Sequence, residues 1–199
     1  MAAGRPARLL VAGIGNIFLA DDAFGCEVVG AVRARPLPPE AEVADFGIRG
    51  MDLAYRLLEG YDVAVFVDAA PRGAPPGTLY LIEAGVPGPE AAVPEAHGMD
   101  PARVLALAAR IGDGPLPRVV VLGCEPLVRL RGDEEDVTVG LSAPVRAAVP
   151  RAAELLRTVV RALLADPGAP LTGCSGDLGE GTGAAPDGTQ ERARPEEAA

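Results

Sequence analysis

The chain of 199 residues is 49% hydrophobic and 23% charged, a balance that excludes a wholly disordered polypeptide and gives one domain enough core to fold without a disulfide or structural metal. Its net charge of -10 comes from 28 carboxylates against 18 basic residues, all of them arginine, so nucleic acid and other polyanions are poor partners. Aromatic residues make up 4%, with no tryptophan, so the core must be aliphatic.

Arg5 and Arg8 followed by Leu9, Leu10, Val11 and Ala12 faintly resemble a signal peptide. Gly13, Gly15 and Asn16 interrupt the apolar run, however, and Asp21 and Asp22 follow, which predicts a buried first strand over Arg8–Ala12 instead. Gly25–Arg35 reads as a helix with Val28, Val29 and Val32 on one side, stopped by Pro36. Glu42–Phe46 is a second strand, and Met51–Glu59 a helix ended by Gly60. Asp62–Val67 is uniformly apolar after its first residue, the mark of a strand covered on both faces, and Asp68 ends it.

Thr78–Ile82 is a strand entered through Pro75-Pro76-Gly77; the short connection from Asp68 leaves no room for a helix, so it should run antiparallel to the strand before it. Asp100–Ile111 is a helix with Pro101 in its first turn, Arg118–Leu122 a strand closed by Gly123, and Ser142–Leu164 the last helix, kinked or broken at Pro150. Strands alternating with helices predict an α/β fold of three layers: a five-stranded, mostly parallel twisted sheet with one antiparallel strand and helices on both faces.

Residues 1–164 should form this single domain. From Ala165 to Ala199 lie seven acids and two arginines, net -5, in a stretch rich in Gly and Pro that reads as a disordered acidic tail. Cys26, Cys124 and Cys174 form no clustered ligand pattern, and their odd number fits reduced thiols in a cytoplasmic protein. No apolar run approaches the ~18 residues of a membrane span, so no membrane partner is expected.

In an open α/β sheet the ligand site lies beyond the carboxyl ends of the strands. Asp21 and Asp22 after the first strand, Asp45 at the end of the second and Asp68 at the end of the third all fall there. Such carboxylates repel one another, and with the single histidine, His97, they make a mixed oxygen and nitrogen set suited to a borderline divalent ion. Blander readings stand beside this one. Asp21 and Asp22 favour the positive end of a helix, Asp45 is a turn former before Gly47, and a lone His before a helix is commonly a surface residue. Gly13-Ile14-Gly15 suggests a dinucleotide loop, but Phe18 stands where its third glycine belongs, and the two acids would repel phosphate. Cys124 as a nucleophile competes with Cys124 as a small buried hydrophobe; there is no Gly-x-Ser-x-Gly elbow and no HExxH motif.

The ordered set Gly13-Ile14-Gly15-Asn16, Asp21-Asp22, Gly25, Asp45 to Leu53, Val65-Phe66-Val67-Asp68-Ala69, Pro76-Gly77-Thr78, His97, and Val121-Leu122-Gly123 with Glu125-Pro126 resembles the nickel-iron hydrogenase maturation endopeptidases over Arg8 to Leu164. The resemblance implies a protease that trims a C-terminal peptide from a hydrogenase large-subunit precursor and recognises nickel already seated in it. By the same likeness Asp22, Asp68 and His97 take the metal-ligand positions, and no catalytic nucleophile or base is named. Many members carry Asp-Gly-Gly-Thr where this chain has Asp45-Phe46-Gly47-Ile48 followed by Arg49-Gly50, so Asp45, Phe46, Gly47, Arg49 and Gly50 are candidates for contact with the substrate. A non-proteolytic module sensing the nickel-loaded precursor and a nucleotide-binding α/β protein are the alternatives.

Overall fold

The computed structural model describes residues 5–85, 101–130 and 138–171. Among them are strands β1 (Leu9–Ile14), β2 (Ala41–Gly47), β3 (Val63–Ala69), β4 (Leu79–Ala84) and β5 (Arg118–Cys124), and helices α1 (Phe24–Arg33), α2 (Gly50–Leu57), α3 (Pro101–Ile111) and α4 (Ala143–Ala165). The strands form one sheet in the order β2-β1-β3-β5-β4, parallel throughout except where β4 meets β5. β4 does run opposite to β3, but its neighbour is β5, inserted between them. Ala70 N–H donates to Cys124 O (2.9 Å) and Gly77 N–H to Glu125 O (2.8 Å), so the connection from β3 arches over the end of β5.

Alternation along the strands sorts the core into two layers. Leu9 and Val11, Val63, Val65 and Val67, and Val120 and Leu122 pack against Val28, Val29 and Val32 of α1 and Val145, Leu156, Val159 and Leu163 of α4. Leu10, Ala12 and Ile14, with Ala64, Phe66, Val119 and Val121, pack against Leu53 and Leu57 of α2 and Val104 and Leu105 of α3. β1, β3 and β5 are covered on both sides, which is why they read as continuous apolar runs.

Two glycines set how closely α1 approaches the sheet. A Cβ on Gly25 would lie 2.1 Å from Val67 O and 2.3 Å from Ile14 O, and one on Gly15, whose φ is +125°, would lie 1.7 Å from Asp22 O. The glycines after β1 thus serve helix–sheet contact and a left-handed turn.

Pro150 does not break α4, which runs from Ala143 to Ala165. Pro150 and Arg146, whose carbonyl lacks the N–H that a proline cannot supply, both lie on the exposed side, where that carbonyl is open to solvent and the lost bond costs least. Past α4 the chain stays on the body: Arg118 donates to Pro167 O (2.8 Å) and Ala169 O (2.9 Å), and Leu171 packs against the α1–α4 layer. The rest of the proposed tail, 172–199, lies outside the described residues. Among the described residues no helix is long and apolar enough to cross a membrane.

Candidate functional site at the carboxyl edge of the sheet

β1 ends between β2 and β3, with Gly13 paired to Asp45 on one side and to Val67 on the other. Asp45, the loop after β1 and Asp68 therefore come from three adjacent strand ends. A 3-10 turn, Ala20–Ala23, leads into α1 and packs against β3. It carries both acids of the Asp21-Asp22 pair, and they do different things.

Asp21 is fully buried. Its carboxylate accepts hydrogen bonds from Leu127 N–H (2.9 Å), Val128 N–H (2.8 Å), Ser142 N–H (2.6 Å) and Ser142 Oγ–H (2.9 Å), tying the turn to the loop after β5 and to the start of α4. Ala20, at φ +46°, is the one non-glycine residue with positive φ among the described residues, and its N–H donates to Thr138 O at 2.7 Å. That conformation costs about 1–3 kcal/mol and persists because the surrounding bonds fix it. Asp22 is half-buried and accepts the Asn16 N–H at 2.6 Å. Burial pushes its carboxyl above the usual range, against the opposing effect of that N–H. Because Asp22 already holds the Asn16 N–H, and because the glycines serve packing, the loop is not a phosphate cradle.

Asp68 closes β3, is 7% exposed and accepts the Ala69 N–H at 2.8 Å. By the alternation of β3 it shares the α2–α3 side with Phe66, whereas Asp45 shares the α1 side with Val43. On that side the thiol of Cys26, in the first turn of α1, donates to Asp45 Oδ1 at 3.3 Å. His97 lies outside the described residues, and among the described residues no three His, Cys, Asp or Glu side chains are grouped to hold a metal ion. Cys124 is fully buried, its thiol pushed up to about 12 by burial and then by the charge of Asp21, so it is a core residue rather than a nucleophile.

The candidates for substrate contact, Asp45, Phe46, Gly47, Arg49 and Gly50, are not all placed on the surface. Phe46 belongs to β2, where a bulge shifts the register from Gly13/Asp45 to Ile14/Gly47, and its ring is buried with Ile14 and Leu53. Phe46 is thus a core residue rather than a surface contact. Arg49 folds back, donating through Nε to Phe46 O (3.1 Å) and through a terminal nitrogen to Asp45 O. Gly47 takes φ +53° at the end of β2 and Gly50 opens α2. The exposed apolar side chains there are Ile48 and Met51, joined after β1 by Ile17 and Phe18.

Glu125 stands in the sequence only as part of the Glu125-Pro126 pair of the resemblance, with no role assigned to its side chain. It is 1% exposed and accepts hydrogen bonds from Arg72 N–H (2.7 Å), Ala74 N–H (3.3 Å), Tyr80 Oη–H (2.7 Å) and an Arg129 guanidinium nitrogen (2.9 Å). Burial alone would raise its carboxyl, but the Tyr80 hydroxyl and the N–H groups of Arg72, Gly73 and Ala74 outweigh it and hold it below the ordinary value. Besides that pair, its signal is a carboxylate directly after a buried strand.

The fold and this edge define a three-layer α/β protein with acids at the ends of adjacent parallel strands. A family model described as hydrogenase maturation protease matches residues 26–159. The hydrogenase expression/formation protein HupD of Rhizobium leguminosarum bv. viciae is 35% identical over 163 residues, covering 77% of this chain and 74% of that protein. A putative hydrogenase maturation protease of Methanocaldococcus jannaschii is 33% identical over 156 residues, or 74% of this chain and 93% of its own length. Among solved structures, the hydrogenase maturating endopeptidase HybD from Escherichia coli aligns with a TM-score of 0.62 and 28% identity, over 77% of this chain and 92% of that one. The chain belongs to the hydrogenase maturation protease family, and it is a peptidase.

Proposed function

We propose that this peptidase removes a C-terminal peptide from a nickel-iron hydrogenase large-subunit precursor after nickel has been inserted, and that Asp22, Asp68 and His97 contact the nickel the precursor carries. The metal belongs to the substrate, so the peptidase needs no resident ion. The observation that supports this reading is the position of two carboxylates, Asp22 and Asp68, on a turn and a strand that pack together at the carboxyl edge. His97 precedes α3 by four residues, and α3 covers the face on which the β3 alternation puts Asp68. Ionised carboxylates and a neutral imidazole suit nickel. Ile17, Phe18, Ile48 and Met51 give the same edge an apolar rim for a polypeptide. The test is incubation with purified precursor, nickel-loaded and nickel-free, followed by intact mass. Loss of a C-terminal peptide from nickel-loaded material alone is expected; equal cleavage of both would refute the nickel step, and no cleavage of either would refute the substrate.

A further inference from the structure

The Cys26 thiol sits between two acceptors at the edge of the site, Asp45 Oδ1 at 3.3 Å and Gly15 O at 3.5 Å. A thiol has one hydrogen, and the nearer, charged oxygen is the better acceptor. Among the described residues the Cys26 thiol gives the one hydrogen bond to the Asp45 carboxylate: Asp45 precedes the bulge of β2, and Arg49 binds its carbonyl. We infer that Cys26 is a positioning residue, whose thiol fixes the Asp45 carboxylate at the end of β2 so that it can accept hydrogen bonds from the precursor polypeptide. The inference rests on the reading of Asp45 as precursor-facing.

The choice of a thiol has a physical reason. A lysine or arginine at position 26 would orient Asp45 but also neutralise it, weakening the negative crevice. An aliphatic side chain would leave both oxygens against an apolar wall without a donor. The thiol orients the carboxylate and adds no charge, because burial first, then the hydrogen bond to Asp45 and the charges of Asp45 and Asp22, push it up to about 12 and keep it protonated. The contact joins α1 to the end of β2, two elements already packed through the α1 layer, so the donor is held by the core.

The test is steady-state cleavage of nickel-loaded precursor by the full chain and by Cys26→Val, Cys26→Ser, Asp45→Asn and the Cys26→Val/Asp45→Asn double variant. Losing one hydrogen bond to a carboxylate used for binding should raise KM about fivefold in Cys26→Val with kcat within about twofold, and Cys26→Ser should return KM to within about twofold of the parent. In the Asp45→Asn background, Cys26→Val should add little. An unchanged KM in Cys26→Val, a Cys26→Ser no better than Cys26→Val, or a full additional loss in the double variant would overturn the inference. If Asp45→Asn itself leaves KM unchanged, the precursor-facing reading of Asp45 falls, and this inference with it. A second readout needs no valine variant. In a Cys174→Ser background, Asp45→Asn should speed alkylation of Cys26 several-fold, because it removes the Asp45 contribution that adds to burial in keeping the thiol protonated, and an unchanged rate would refute the contact.

Discussion

Two adjacent aspartates should respond in opposite ways to the same substitution. Asp21→Asn replaces one of two fully buried oxygens with an amide that can only donate, yet three backbone N–H groups and one hydroxyl converge there. With its oxygen on the side of Leu127 and Val128, the amide nitrogen faces the Ser142 N–H; flipped, it faces two N–H groups at once. At least one buried donor is left without an acceptor and opposed by another donor, at about 1–3 kcal/mol. That is a sizeable part of the 5–15 kcal/mol of an ordinary domain and, at about 2–4 °C per kcal/mol for a chain of this size, should lower Tm by roughly 2–12 °C.

Asp22→Asn differs on each count. The side chain is half-buried, the new amide oxygen still accepts the Asn16 N–H, and the carboxyl that burial disfavoured is gone. Stability should stay within ~0.5 kcal/mol, while cleavage of the nickel-loaded precursor should be lost. Urea unfolding of both variants, with amide exchange followed at Leu127, Val128 and Ser142, checks the division. Faster exchange at those three amides is expected in Asp21→Asn only. A stable Asp21→Asn, or an Asp22→Asn that unfolds as readily, would refute the division of labour between the two acids.

Glu125→Gln should destabilise the Arg72–Ala74 loop by about 1–3 kcal/mol, measured by urea unfolding. Because the folded-state carboxyl lies below its ordinary 4.5, its contribution is present above that pH and lost as pH falls below it, so the variant should show a shallower acid transition than the parent. Gly25→Ala should fail to give soluble folded protein, since its Cβ would meet two immovable carbonyl oxygens at 2.1 and 2.3 Å; a normal circular dichroism melt would contradict the close packing of α1. Ending the chain at Ala165 should lower Tm relative to ending it at Leu171, because Arg118 loses both of its carbonyl partners; equal melts would mean that those contacts contribute nothing. Arg49→Ala should cost no more than about 1 kcal/mol in unfolding, as its side chain is 59% exposed, and a larger loss would make it a fold determinant.

What the sequence revealed follows from the range over which each interaction acts. The run Val63–Val67 and the spacing of Val28, Val29 and Val32 are local records of burial, and both elements lie where the pattern puts them. β4 was legible as a strand running opposite to β3, but not as the partner of β5, because pairing depends on a strand that comes later in the chain. Phe46 was legible as the last residue of a strand, but not as a core residue, because the face its ring takes depends on a bulge that packs it with Ile14 and Leu53. Asp21 is the clearest case. Its donors lie 106, 107 and 121 residues away, so nothing near it in sequence separates it from Asp22.

Converging acids must be offset, and the donors around two of them carry no charge: the Asn16 N–H holds Asp22 and the Cys26 thiol holds Asp45. Arg49 reaches the end of β2, yet it gives its hydrogen bonds to carbonyls of the strand. Burial pushes the Asp22 carboxyl up, against the opposing effect of the Asn16 N–H. Under the proposed function this has a consequence for discrimination. A precursor that brings a divalent cation offsets the desolvation of the Asp22 carboxylate, whereas a metal-free precursor does not. Selectivity is the difference between those two binding free energies, so on that proposal the buried carboxylate of Asp22, held by an uncharged donor, would itself disfavour the metal-free precursor.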